Sequence, residues 1–120
     1  MSENLTVIAE ALDRAADHID KVGWFQGDLW DVYTDADRPP AECPVCAFGA
    51  LNMALHGTPR FPELRPGDLN SHDLADYVER HLGGVELADW NDAPARTQAE
   101  VTGLFRETAR ELRGESGGAS

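Results

Sequence analysis

Between residues 5 and 22 an apolar side chain recurs every three or four positions: Leu5, Ile8, Leu12, Ala15, Ala16, Ile19 and Val22. That spacing places them on one face of a helix, and a stripe of this kind faces a core. On the other side, Glu10–Arg14 and Asp17–Lys21 are acid-before-base pairs four residues apart, which supports the same helix. Gly23 supplies the stop, so the periodicity predicts a helix from about residue 4 to residue 22.

The remaining segments read as further helices separated by turns. Residues 24–42 carry Trp24, Phe25, Trp30 and Tyr33 before an Asp/Pro cluster; Leu29 to Tyr33 alternates weakly, as a short strand would. Ala47 to Leu55 is apolar almost all round and predicts a buried helix, with Pro44 suited to its first turn and His56-Gly57-Thr58-Pro59 at its end. Pro59, Pro62, Pro66 and Gly67 make residues 58–70 a rigid loop. Asn70 or Ser71 caps a third helix, which has Asp73 in its first turn and Leu74, Tyr77, Val78 and Leu82 on one face. Gly83-Gly84 stops it. Val85 to Trp90 is a short alternating piece leading into the turn Asn91-Asp92-Ala93-Pro94. Thr97 and Glu100 form a capping box for a last helix, whose inner face is Val101, Leu104, Phe105, Thr108 and Leu112. The expected fold is mainly α: a single domain over residues 1–113 with about four helices. It leaves open a short β-hairpin around residues 28–45 and ends in a flexible tail over 114–120.

At 120 residues, the chain can form one core without staples. Its formal charge is −12, from 22 acidic against 10 basic residues, and only Lys21 of the ten is not Arg. Such a surface repels phosphate, so neither nucleic acid nor an anionic membrane is an expected partner. No apolar run approaches the ~18 residues of a membrane span. The start, Met1-Ser2-Glu3-Asn4, lacks the basic and apolar regions of a signal peptide, so the expected compartment is the cytoplasm. Two cysteines, Cys43 and Cys46, do not make a disulfide framework.

Four short elements have a specific look: Trp24-x-Gln26-Gly27, Cys46-x-x-Gly49-Ala50-Leu51, Trp90-Asn91-Asp92 and Arg96-Thr97-x-x-Glu100-Val101. Together, over about residues 5 to 112, they resemble the landmarks of a family of small actinobacterial and phage proteins that form a domain of unknown function. The resemblance implies a fold and no activity. It has a counterpart for Cys46, whereas Cys43 is an addition in this chain.

Three functional readings can be drawn from the residues. Cys43 and Cys46 have the spacing of a thiolate pair, and with His56 and His72 they make a candidate zinc set. No second CxxC or paired histidines accompany them, and a buried, inert Cys46 at a helix start is the plainer structural reading. A second reading takes Cys46 as a nucleophile, with His72 or His81 as base, Asn91 to orient it and Gln26 to stabilise an oxyanion, an order similar to that of papain-like proteases. The reading favoured here is a binding module without a cofactor, for a protein partner or a small ligand. Its candidate surface comprises Trp24, Gln26, Trp30, Tyr33, Trp90, Asn91 and Asp92, aromatic anchors with polar groups to orient what they hold. The competing structural account has Trp90 anchoring a turn, and Asn91 or Asp92 bonding nearby backbone.

Overall fold

In a computed structural model, which describes residues 5–32 and 37–116, the chain is helical throughout its regular parts. Helix α1 spans Leu5–Val22, α2 Ala47–His56, α3 Ser71–His81, α4 Leu87–Asn91 and α5 Gln98–Ser116, with one 3-10 turn at Pro40–Glu42. Helix α1 lies at the centre, packing most extensively against α5 and next against α2. Its buried face is Ile8, Ala9, Ala11, Leu12, Ala15, Ala16 and Ile19. Four of these seven are alanines, whose small side chains let neighbouring helices come close; Phe105 of α5 is the largest fully buried side chain in the core they share. All five residues expected on the inner face of α5 are buried.

Helices α1 and α5 run antiparallel and are tied along their exposed edge. Arg106 reaches Asp17 at 3.0 Å and Asp20 at 2.7 Å, and Arg113 reaches Asp13 at 2.6 Å. The pairs expected within α1 give way to these contacts. Asp17 takes Arg106 instead of Lys21, and Arg14 donates to the Ala54 carbonyl at the end of α2. A tertiary partner held in place by a packed helix outcompetes an intrahelical pair worth only about 0.2–0.5 kcal/mol.

The caps lie where local chemistry puts them. Asn70 accepts from the Asp73 amide while Asp73 accepts from the Asn70 amide, a reciprocal box at the start of α3. Thr97 and Glu100 do the same ahead of α5. Helix α5 runs on through Gly114 to Ser116, three residues into the segment expected to be tail.

Three expectations need correction. Pro44 stands outside α2, whose N-cap is Cys46. The piece at 85–90 is not extended: Leu87–Asn91 is one helical turn, because a carboxylate oxygen of Glu79, from α3, accepts the Leu87 amide at 2.7 Å and caps it from outside. No strand runs through the described residues, so the hairpin left open around 28–45 is not formed among those of its residues that are described, 28–32 and 37–45. Instead Val45 bridges Trp24 in parallel and Trp30 in antiparallel fashion, and residues 23–31 wrap around it. The wrap is held by Val45 N to Gly23 O, Phe25 N to Val45 O, Asp31 N to Pro44 O and Cys46 N to Leu29 O. Gly27, at φ 100°, turns the wrap.

Candidate functional site

Asn91, at the end of α4 and only 2% exposed, joins segments far apart in the chain. Its Oδ1 accepts from Trp24 Nε1 at 2.8 Å and from the Ala47 amide at 2.9 Å. Two N–H donors on one atom identify it as the oxygen and fix the amide's orientation. Its Nδ2 then donates to the Phe25 carbonyl at 3.3 Å and to Asp92 Oδ1 at 2.9 Å. The same Asp92 oxygen accepts the Gly27 amide at 3.0 Å. Gln26 Nε2 donates to the carbonyls of Asn91 and Ala93 at 2.9 and 3.0 Å. Arg96 donates to the Trp90 carbonyl and lays its guanidinium 3.9 Å from the centre of the Trp90 ring. Trp24, Gln26, Gly27, Asn91, Asp92 and Arg96 thus form one hydrogen-bonded clasp that also reaches the first residue of α2.

Above the clasp opens a cleft of about 380 Å³. One wall is made by Gly27, Asp28 and Leu29 of the wrapped segment, another by Ala88, Asn91 and Asp92 of α4 and its end, with Cys46 at the floor. The third is aromatic: Phe48 of α2, Phe61 of the proline-rich loop and His72 in the first turn of α3. The His72 and Phe61 rings stack at 5.5 Å with 7° between their planes, and Phe48 lies tilted 5.1 Å from His72. Phe61 is half exposed at the rim. Gly49 sets how closely the wrapped segment meets α2, since a Cβ there would overlap the Leu29 carbonyl.

Cys46 Sγ caps α2 by accepting the Gly49 amide at 3.4 Å. Burial raises the thiol's pKa above its ordinary value and nearby Asp92 adds to the rise, against a lowering by the helix amides. The thiol is therefore protonated at neutral pH. Cys43 turns the other way, its Sγ donating to the Pro39 carbonyl at 3.5 Å. It lines a second, smaller cleft with Trp30, Arg38 and Arg60, where the Arg60 guanidinium lies 4.9 Å from the Trp30 ring centre.

Of the residues singled out from sequence, Cys46, His72, Asn91 and Asp92 meet in the first cleft, while Gln26 and Trp24 lie behind it in the clasp. Trp90 packs under Arg96, and Trp30 belongs to the second cleft. Tyr33 lies outside the described residues. The candidate zinc set does not converge: Cys43 and Cys46 open into different clefts, and His56 sits at the far end of α2 from both. Among the described residues no group of three or more His, Cys, Asp or Glu side chains is placed to hold a metal ion. Sequence reasoning missed Phe48 and Phe61 as lining residues. A bulky ring flanked by Arg60 and Pro62 in a loop, where no periodicity asks for it, was the available signal for Phe61.

No helix among the described residues is long and apolar enough to cross a membrane. No curated protein and no solved structure matches the chain. A family model, described as a family of unknown function (DUF6197), matches residues 3–111, nearly the whole of it. The chain that builds this clasp and cleft belongs to that family of unknown function.

Proposed function

We propose that the protein is a small-ligand-binding module and that its ligand occupies the cleft above Asn91. The observation that carries this reading is the cleft itself: about 380 Å³, at the small end of ligand sites, lined by the rings of Phe48, Phe61 and His72 together with the polar Asp28 and Asp92. The clasp behind it supports the reading, because a network of hydrogen bonds, most of them part-buried, holds the wrapped segment against the end of α4 before any ligand arrives. In this reading Asp92 faces the ligand, and Trp24, Gln26 and Asn91, whose amide is bonded on both sides, act as the frame. The compartment proposed is the cytoplasm, in keeping with two unpaired thiols.

The cysteine-nucleophile alternative has less support. Cys46, His72 and Asn91 share the cleft, yet the thiol's pKa is raised rather than lowered, and both sides of the Asn91 amide are already bonded to Trp24, Ala47, Phe25 and Asp92. A two-dimensional NMR screen of a fragment library containing cationic, neutral and anionic members tests the binding reading. Hits are expected to move the resonances of Phe48, Phe61, His72 and Asn91 together. Hits scattered over the surface, or none at the cleft, would overturn it.

A further inference from the structure

We infer that the cleft selects a small amphipathic cation, a protonated amine carried on a flat apolar body. This rests on the ligand-binding reading above and names the ligand's chemistry. The charged residues that line the cleft, Asp28 and Asp92, are both acidic, and neither Lys nor Arg is among them. Asp92 Oδ1 takes both of the carboxylate's internal donors, and among the described residues none reaches its other oxygen, which leaves an acceptor at an exposed edge of the cleft.

The donors grouped around Asn91 are already bonded. The start of α2 would otherwise attract an anion. Here the Ala47 amide is bonded to Asn91, the Gly49 amide to the Cys46 thiol, and the Gly27 amide to Asp92. The Asn91 amide hydrogens go to Phe25 and Asp92. An anionic ligand would meet the carboxylates of Asp28 and Asp92. A cation meets acceptors, and the net charge of −12 raises its local concentration. The stacked Phe61 and His72 rings and Phe48 offer a flat apolar face, and the face of a Phe ring attracts cations.

The test compares three probes on one scaffold: phenylpropylamine, phenylpropanol and phenylpropionate, titrated by NMR against the full chain. The amine should bind about two- to fivefold more tightly than the alcohol, as an exposed carboxylate partner allows. The carboxylate should bind most weakly. The preference should shrink in about 1 M salt, where the screening length falls to about 3 Å. Asp92→Asn keeps an oxygen for the Gly27 amide and should bring the amine down to the level of the alcohol; Asp28→Asn is the second variant should Asp92→Asn fail to fold. Phe61→Ala should weaken amine and alcohol alike. Equal binding of all three probes at the cleft would overturn the charge selection and leave the binding reading standing. No shift at the cleft with any probe would overturn both.

Discussion

Replacing Asn91 with alanine is the sharpest perturbation of this structure. The side chain makes four hydrogen bonds, to Trp24, Ala47, Phe25 and Asp92, from a position 2% exposed. A made hydrogen bond contributes about 1 kcal/mol net, but a buried partner left unsatisfied costs about 1–3 kcal/mol. The Ala47 amide is buried and has no second acceptor, so its cost stands in full. Asp92 is exposed and recovers its bond from water. Summing a full cost at Ala47, partial costs at Trp24 and Phe25 and little at Asp92 gives a loss of about 3–5 kcal/mol, a large share of the ~5–15 kcal/mol that a domain of this kind has. Urea denaturation followed by far-ultraviolet circular dichroism measures it. Trp24→Phe removes the indole donor while Asn91 keeps the Ala47 amide, so it should cost about 1 kcal/mol by that hydrogen-bond figure. In the double variant the effects should fall short of additivity by at least about 0.5 kcal/mol. A loss below about 0.5 kcal/mol for Asn91→Ala, within the range of an ordinary surface substitution, or strict additivity with Trp24→Phe, would refute the claim that one amide holds these segments together.

Gly49→Ala drives a methyl into the Leu29 carbonyl and should destabilise by at least about 2 kcal/mol, in the range of overpacked sites, whereas Gly103→Ala on the open face of α5 should stabilise by about 0.5–1 kcal/mol; denaturation midpoints of the pair report both. The Cys46 thiol, its pKa raised by burial, should alkylate more slowly at pH 8 than a free cysteine; a faster reaction, timed by mass spectrometry, would revive the nucleophile alternative. His18 has its pKa lowered, first by burial and then by Lys21, so the unfolded chain takes up this proton before the folded one does. Its contribution is therefore whole above the unfolded value of 6.5 and lost as the pH falls through it toward the lower folded value, and His18→Gln should flatten that part of the stability–pH curve.

The helices, their caps and their inner faces were legible because those signals act within about four residues of the chain. The apolar stripe of α1, the box at Asn70 and Asp73, and the box at Thr97 and Glu100 are where the pattern places them. The misreadings share one cause. The helix at Leu87–Asn91 carries no strong helical period of its own and is capped by Glu79 from another helix, so its sequence alone reads as extended. The apparent strand near Trp30 becomes a wrap around Val45, because Pro44 to Cys46 supplies the backbone partner on both sides. The candidate site was half legible. Trp24, Gln26, Asn91 and Asp92 stand out as polar and aromatic residues in turns, but which of them line the cleft and which stand behind it depends on bonds between residues 65 to 67 positions apart. Local periodicity and capping chemistry determine the elements from the sequence itself. Only the packing of α1 against α2 and α5 closes the long loops between Trp24, Cys46 and Asn91, and that closure decides that a clasp and a cleft exist at all.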